Sequence, residues 1–340
     1  VSTIFGKTDR CLKMQNKVLV FDENQNLTAK CIEKLEKFLL SRGLFNFSFL
    51  TSSDYEIFKK GIEDCRQEKS TVIVICDNDR LDECLGLVKD DSDSLTLINE
   101  QAVKLEDVTQ DLKMIFIPFE LPFENFLKEF VANEKVFVCS LFGCGRSVVE
   151  QKFKALGNEY ALSYKIITKT LFLHTVYYSE YIDKSRLKSE FGESLYSDKD
   201  EILSDKLSSI LQERGKSLSV VEFGTRGKIL SRLDFDGKVF YSVEQMKEFG
   251  VPEELFAGEN AGKDVAFTLA KFSLEKSKSE YVLSVCDRLG ETPKSYVAVG
   301  DKSVVHLYSS VFSEDKYERM RDLSDFAIFR MICFLKNQNM

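Results

Sequence analysis

Three glycine-bearing segments contain the residue types from which a binding site could be built. Gly143-Cys-Gly-Arg-Ser147 lies between a predicted strand and a predicted helix, where backbone N–H groups and an arginine can receive an anion. Val221-Glu-Phe-Gly-Thr-Arg-Gly227 follows a buried strand and offers similar chemistry, and Ser284-Val-Cys-Asp-Arg-Leu-Gly290 adds a thiol and a carboxylate. Ligands of open α/β sheets bind at the carboxyl ends of strands, so the last two segments are predicted to face one pocket.

Each segment also has a structural interpretation. Ser147 with Glu150 resembles a helix capping box, and the first segment lacks the third glycine of a dinucleotide-binding loop. Cys286 at a strand end is more often a core thiol than a nucleophile, because nothing in the sequence supplies its base. The two histidines, His174 and His306, alternate with apolar residues and are predicted to be strand residues.

Composition excludes several classes of protein. The 340 residues are 44% hydrophobic, and 47 basic against 55 acidic residues give a net charge of −8, which disfavours a protein that binds nucleic acid. No apolar run is long enough for a membrane helix or a signal peptide, so we expect a cytoplasmic protein. Since the chain does not begin with Met, we expect it to be trimmed or a fragment. The nine scattered cysteines indicate buried thiols and no metal site.

Hydrophobic patterning predicts an α/β protein with two parallel-sheet layers joined by a small α+β unit. Continuous β-branched runs such as Thr71–Ile75 alternate with amphipathic helices over residues 1–134. The small unit covers 135–196, and Ser197 with Asp200 is predicted to cap the next helix. The second layer, 197–340, begins with a helix that ends at Gly215; two strands, a helix and a third strand are predicted at 218–221, 238–242, 263–276 and 281–285.

Several motifs, in this order, resemble the CinA family. Leu141-Phe-Gly-Cys-Gly-Arg-Ser-Val-Val-Glu150 is similar to the family's F-G-x-G-E-S-x-x-E, and Met320-Arg-Asp-Leu-Ser324 to its V-R-x-x-S. Leu211–Glu222 matches the helix and strand that lead into A-E-S-C-T-G-G, and Phe249–Glu254 resembles L-G-V-P-x-x. Long members of the family join a molybdopterin-binding-like domain, a KH-like domain and a nicotinamide-nucleotide amidohydrolase domain. The resemblance implies this order for 1–134 (shortened), 135–196 and 197–340.

This sequence departs from the family pattern at the positions that would carry out the family's chemistry. Phe223 stands where the family's nucleophilic serine is expected, and phenylalanine cannot attack a carboxamide. The family's active-site lysine falls on Met246, with Lys247 one place late, and a glycine loop that would wrap a pyrophosphate is replaced by Cys76–Asp82. The resemblance leaves these ligand-binding candidates: Glu222, Gly224, Thr225, Arg226, Gly227, Gly290 and Arg321.

Three functions follow from this comparison. The first is a CinA-like, non-catalytic module that binds a pyridine nucleotide or ADP-ribose or serves assembly. The resemblance also implies a homodimer. The second is an active nicotinamide-nucleotide amidohydrolase in which Thr225 or Cys286 replaces the nucleophile, with Tyr241 and Lys247 as further catalytic candidates. The third, a residual ADP-ribose hydrolase in the N-terminal domain, is the only one that would use a cofactor, a divalent metal.

Overall fold

A computed structural model describes most of the chain. The described residues are 16–22, 29–68, 71–87, 94–98, 102–107, 112–118, 122–130, 134–241, 253–256, 261–288 and 293–338. Contacts divide the chain into two compact units. The first is Val1–Phe137 with Phe153–Ile166 and Tyr177–Tyr181, and the second is Val138–Lys152 with Ile167–Val176 and Ile182–Met340. The three-domain division at 135 and 197 stays a prediction.

The first unit is built on a six-stranded sheet in the order β2-β1-β3-β6-β5-β4. Its elements are β1 Asn16–Phe21, α1 Ala29–Ser41, β2 Phe47–Ser52, α2 Tyr55–Glu68, β3 Thr71–Cys76, α3 Leu81–Gly86, β4 Ser94–Ile98, β5 Ala102–Asp107, β6 Leu112–Pro118 and α4 Phe123–Phe130. The four strands at one side pair in parallel, and β4 and β5 add antiparallel pairs at the other. The central strands are buried along most of their length, which explains their continuous β-branched sequences.

A four-stranded sheet follows in the order β10-β7-β9-β8. Its elements are β7 Phe137–Phe142, α5 Arg146–Tyr160, β8 Tyr164–Thr170, β9 Leu173–Tyr178, α6 Lys184–Phe191 and β10 Leu195–Ser197. The first predicted capping box is wrong. Helix α5 begins one residue before Ser147, the N–H groups of Val148 and Val149 donate to the Gly145 carbonyl, and Glu150 accepts from Arg146 Nε at 2.8 Å.

The third sheet has five strands in the order β12-β11-β13-β14-β15. Its elements are α7 Leu203–Arg214, β11 Leu218–Phe223, β12 Lys238–Tyr241, α8 Ala261–Ser277, β13 Tyr281–Cys286, β14 Lys294–Asp301, β15 Val305–Val311 and α9 Lys316–Asn337. Strand β11 pairs in parallel with β12 and β13, while β14 and β15 are antiparallel. One face packs on α7 and α9, and the other packs on α8, so this sheet is buried on both faces.

The ends of helix α7 show what a local motif can and cannot predict. Gly215 closes the helix in the left-handed region at a φ of 61°, as predicted, because glycine has no Cβ to clash there. The second predicted capping box, Ser197 with Asp200, is wrong. Helix α7 begins after Ile202, and the Ser197 hydroxyl accepts from Lys199 N at 3.1 Å and donates to the Glu201 carboxylate.

The predicted α/β class is confirmed. Both large sheets are mixed, however, and each has a parallel part extended by two antiparallel strands. No helix in the described ranges is long and apolar enough to cross a membrane.

Glu280 gives the third sheet a pH-dependent contact at the amino ends of its strands. Its carboxylate accepts from the Ser217 hydroxyl and, at 2.9 Å, from Ser217 N, and these bonds lower the pKa of Glu280 from 4.5 to about 2. A depressed pKa in the folded state adds stability above the unfolded value, and this contribution is lost as the pH falls through the folded value. We therefore expect Glu280→Gln to be less stable than wild type near neutral pH.

The expected difference shrinks between pH 4.5 and about 2, the window set by the two pKa values of Glu280. Urea unfolding followed by circular dichroism across this range measures it. Glu275→Gln, at an exposed position of α8, is the matched control. A Glu280→Gln deficit that stays constant from pH 7 to pH 2 would contradict the assignment.

Candidate functional site

The carboxyl ends of β11 and β13 bring two of the three predicted segments together. The strands pair in register, with Phe223 opposite Cys286, and Asp287 N donates to the Phe223 carbonyl at 2.9 Å. Past the strand ends, the chain at Gly224 lies so close to Asp287 that an added Cβ would stand 2.6 Å from the Asp287 Cβ. We call residues 222–227 and 286–288 the strand-end site.

Glu222 holds the first loop of the strand-end site in shape. Its side chain is buried, and one carboxylate oxygen accepts from the Thr225 hydroxyl at 2.5 Å and from Ile229 N at 3.3 Å. The other oxygen accepts from Leu230 N at 2.9 Å. These bonds satisfy N–H groups at the start of a 3₁₀ turn in the way that a helix cap does. The carboxylate is therefore engaged by its own loop.

Thr225 is fully buried and gives its hydroxyl proton to Glu222. A hydroxyl beside a carboxylate is the pairing that activates a nucleophile. Here the hydroxyl oxygen has no exposure to solvent, and the same carboxylate accepts two backbone N–H groups. The geometry suits a structural bridge across the loop.

The backbone of the same loop has an unusual sequence of conformations. Gly224, Arg226 and Gly227 have φ angles of 90°, 56° and 76°, so left-handed residues flank Thr225. Left-handed residues in a turn can direct neighbouring N–H groups toward one side, which favours a concave anion-binding nest. Within the described residues, nothing accepts from the N–H groups of residues 225–227, and the exposed Arg226 has no ion pair. This loop can receive an anionic group.

Phe223 occupies the position of the expected nucleophile with an apolar side chain. It packs in a cluster with Val265 and Ala266 of α8, and its ring lies 5.9 Å from the Phe256 ring. Tyr241, a further catalytic candidate at the end of β12, belongs to the same cluster. The cluster places hydrocarbon at the position where the resemblance predicts a polar nucleophile.

Cys286 lies on β13 with no exposed surface. Burial raises the pKa of its thiol to about 12, and the neighbouring Asp287 carboxylate adds to the increase. The thiolate is the reactive form of cysteine, and at neutral pH it is absent from this side chain. The environment is that of a core thiol.

Arginine and carboxylate side chains pair at one end of the sheet. Arg319 Nε donates to Asp287 at 3.2 Å, and Asp287 also accepts from the Ser295 hydroxyl at 2.8 Å. Arg288 Nη1 lies 2.6 Å from the Glu314 carboxylate, and Arg288 Nη2 donates to the Phe312 carbonyl at 3.1 Å. These contacts fasten the segment after β13 to the start of α9. These contacts were not predicted from the sequence, because no local motif connects partners so far apart in the chain.

Three predicted site residues need separate mention. Arg321 lies on α9 with its side chain 45% exposed, and it pairs with Asp322 at 3.0 Å, which raises the pKa of the guanidinium. Lys247 and Gly290 lie outside the described residues. The structure therefore brings together Glu222, Gly224, Thr225, Arg226, Gly227 and Cys286.

The segment Gly143–Ser147 stands apart from the strand-end site in the sequence and is held by a histidine. His174, fully buried on β9, has Nε2 at 2.9 Å from the Cys144 carbonyl and Nδ1 at 3.1 Å from the Thr168 hydroxyl. A carbonyl only accepts, so Nε2 carries the proton and Nδ1 accepts from Thr168. Burial lowers the pKa of His174, which keeps the ring neutral. As predicted, both histidines lie on strands.

In the part of the chain that the structure describes, no three or more His, Cys, Asp or Glu side chains lie together in a way that could hold a metal ion.

The chain is similar in sequence to several curated proteins. No family model matches it. A competence-damage inducible protein of Caldicellulosiruptor bescii is 27% identical over 254 residues, which cover 63% of this chain and 61% of the relative. The namesake in Caldicellulosiruptor saccharolyticus is 26% identical over 237 residues, 58% of each chain. The chain thus spans about three fifths of the length of these curated relatives.

Solved structures of the same name are also similar to parts of the chain. A competence or damage-inducible protein of Enterobacter asburiae matches 39% of this chain and 96% of its own at 18% identity and a TM-score of 0.34. A CinA superfamily protein of Klebsiella pneumoniae matches 40% of this chain and 96% of its own at 14% identity and a TM-score of 0.36.

The sheets and their strand-end site define an α/β protein with mixed sheets covered by helices. The curated relatives support the resemblance of this chain to the CinA family of competence-damage inducible proteins.

Proposed function

We propose that the chain is a non-catalytic CinA-like module that binds the anionic group of a pyridine nucleotide or of ADP-ribose at its strand-end site. The observation that carries the proposal is Phe223, which stands at the nucleophile position and packs against Phe256 and α8. An amidase needs a polar nucleophile with an activating group there, and an aromatic ring supplies neither.

The substitute nucleophiles are poorly placed for attack. Thr225 is fully buried and bonded to a carboxylate that caps the loop, and Cys286 is a buried thiol whose pKa is raised to about 12. Each would have to leave its contacts and reach a ligand from the core. Their surroundings support a framework that is kept without its covalent chemistry.

The binding half of the proposal rests on the loop backbone. Gly224, Arg226 and Gly227 have left-handed backbone, which favours a nest of N–H donors, and the exposed guanidinium of Arg226 adds a positive charge. A phosphate of a nucleotide is the natural occupant of such a concave group of N–H donors. The other arginines near the strand end, Arg288 and Arg319, already pair with carboxylates.

The alternative is an active nicotinamide-nucleotide amidohydrolase. One contact favours this alternative: the Thr225 hydroxyl donates to the Glu222 carboxylate at 2.5 Å. A hydroxyl bonded to a carboxylate is the pairing of a nucleophile with its base. The alternative requires the loop to open so that Thr225 meets substrate.

An ammonia-release assay with nicotinamide mononucleotide separates the two functions. We expect no turnover above the rate without protein, because no polar nucleophile reaches the site. Turnover that disappears in Thr225→Ala or in Cys286→Ala would overturn the non-catalytic assignment. Cys333→Ala is the matched control for the second variant, since Cys333 is another buried thiol, with its pKa raised to about 11.

Thermal unfolding with added nicotinamide mononucleotide or ADP-ribose tests binding. A ligand that binds only the folded chain raises the midpoint. We expect Arg226→Gln to weaken this effect by about tenfold in affinity, about 1.4 kcal/mol. Arg146→Gln, at an exposed arginine that begins α5, should leave the ligand-induced shift unchanged. If neither nucleotide shifts the unfolding midpoint, the chain does not bind nucleotides, and the assembly role is the one that remains.

A further inference from the structure

Strand β15 leaves one edge of the third sheet open. It is the last strand in the order β12-β11-β13-β14-β15, and among the described strands it pairs only with β14. Its seven residues, Val305–Val311, pair without a register shift and include no Asp, Glu, Lys, Arg or Pro. Proteins protect open edges with charged residues, prolines or bulges, because an unprotected edge can pair with another strand. This edge has none of these protections.

The other edge strands in the described part of the chain are shorter or carry charges. Strand β8 is as long, but it contains Lys165 and Lys169. Strand β12 has four residues and begins with Lys238, β10 has three residues and a register shift, and β4 has five residues. Strand β2 has six uncharged residues, so it is the comparison strand for the experiment below.

The turn between β14 and β15 fixes which backbone groups face the open edge. Asp301 N donates to the Val304 carbonyl at 2.9 Å, so these two residues form a hydrogen-bonded pair of the antiparallel ladder. Such pairs alternate along the ladder, so every second residue of β15 turns its N–H and C=O groups away from β14. The residues that face outward are Val305, Leu307, Ser309 and Val311.

We propose that β15 pairs with β15 of a second copy of the chain, antiparallel and about a two-fold axis at Tyr308. In this register Val305 lies opposite Val311 of the second copy, and Leu307 lies opposite Ser309. Both are hydrogen-bonded pairs, and the two-fold axis repeats each of them. Every outward-facing N–H and C=O group of the strand therefore finds a partner, and the two five-stranded sheets join into one.

The side chains of β15 are self-complementary in this register. Val311 is 58% exposed, and the pairing places it against Val305, which packs on the cluster beside α8. Val304, which is 41% exposed, lies beside Phe312 of the second copy. Tyr308 meets its own copy at the axis in a non-hydrogen-bonded pair, where side chains come closest and aromatic pairs stabilise a sheet.

Charges at the two ends of β15 also match. Lys302, in the turn before the strand, is exposed and makes no ion pair within the described residues, and Glu314 follows the strand with its side chain 84% exposed. The pairing brings Lys302 of each copy beside Glu314 of the other. The nearby carboxylates Asp301 and Asp315 already accept from backbone N–H groups of their own turns. Since Glu314 also binds Arg288, the interface borders the strand-end site.

Sedimentation equilibrium of the full chain tests the interface. Wild type should have twice the 39.0 kDa mass of one chain. Ser309→Lys places a charge at an exposed position of the edge and should have the mass of one chain, because lysine on an edge strand opposes pairing. Thr51→Lys, the corresponding change at an exposed position of β2, should remain a dimer. Circular dichroism confirms that both variants are folded.

Cysteine cross-linking tests the register. Tyr308→Cys should give a disulfide-linked dimer on oxidation, because opposite residues of a non-hydrogen-bonded pair have Cα atoms about 4.5 Å apart, within reach of a disulfide. Mass spectrometry of the linked peptide should show residue 308 joined to residue 308. Ser309→Cys is the matched control, because the same residue of the second copy is displaced by two positions along the strand, beyond that reach.

Three results would overturn the proposal. The first is a wild type with the mass of one chain at the highest soluble concentration, and the second is a Ser309→Lys variant that stays a dimer. The third is a dimer that Thr51→Lys dissolves, which would place the interface at β2. A link in Ser309→Cys without one in Tyr308→Cys would overturn the register about residue 308.

Discussion

Gly224→Ala is expected to lower the free energy of unfolding by about 3 kcal/mol, which is the sum of two separate costs. The residue has a φ of 90°, a conformation that costs a residue with a Cβ about 1 to 2 kcal/mol. The added carbon would also stand 2.6 Å from the Cβ of Asp287, and fitting it requires the two strand-end loops to separate. Urea unfolding by circular dichroism measures the loss as a shift of the midpoint at constant slope.

Gly227→Ala is the matched control. Gly227 has a φ of 76°, but no atom lies within 4 Å of the position of an added Cβ. It therefore carries the conformational cost alone, about 1 to 2 kcal/mol. The difference between the two variants isolates the contact between Gly224 and Asp287. Equal losses would mean that the loops after β11 and β13 are not in contact in solution.

The elements around the strand-end site were predictable because burial and backbone conformation restrict which residues can occupy them. A strand was predicted at 281–285, and β13 is found there with every residue buried, as a strand covered on both faces requires. Gly215 was predictable as a helix end because only glycine is at ease in the left-handed region. The two capping boxes were wrong because the motifs at Ser147 and Ser197 do not fix where a helix begins.

The tertiary contacts of the site could not be predicted from the sequence. Asp287 meets Ser295 and Arg319 only because β14 returns antiparallel to β13 and α9 begins near the same edge. A parallel-sheet layer was predicted from the sequence, and parallel pairing gives Ser295 no reason to lie beside Asp287. A charge pair between distant residues is fixed by topology, and the local sequence around each partner contains no signal for the other.

Glu222 shows that a residue can be placed correctly at a site while its role differs. The sequence analysis named it a ligand-binding candidate at the end of β11, and the structure places it there. Its carboxylate accepts from Thr225, Ile229 and Leu230. A buried carboxylate among backbone N–H groups stabilises the loop, so in the proposed binding function Glu222 positions Arg226 and the neighbouring N–H groups.

Arg232→Met is expected to destabilise the protein by about 3 kcal/mol, because it leaves the Asp325 carboxylate buried without a partner. Arg232 Nη2 lies 2.5 Å from Asp325 Oδ1, and the carboxylate is almost fully buried while the guanidinium is partly exposed. Solvent near the guanidinium keeps the loss at the lower end of the range for a broken buried pair. Urea unfolding measures it, and Arg321→Met, at an exposed arginine of α9, is the control.

The pH dependence of this loss follows from the pKa of Asp325. Burial raises the pKa of Asp325, and the charge of Arg232 lowers it. Replacing Arg232 with methionine therefore raises the pKa of Asp325 further. A carboxyl group whose pKa is raised in the folded state is most favourable to folding below its unfolded value, about 4, and this advantage is lost as the pH rises through the folded value. The deficit of Arg232→Met should therefore be small near pH 4 and larger at pH 7.

A double-variant cycle completes the test of the buried pair. Arg232→Met with Asp325→Leu removes both charges and should recover most of the loss, because apolar side chains of similar size replace a buried ion pair at little cost. The recovered stability should no longer change between pH 4 and pH 7, since no carboxyl group titrates there at residue 325. A double variant less stable than Arg232→Met alone would show that Asp325 stabilises the fold through contacts other than Arg232.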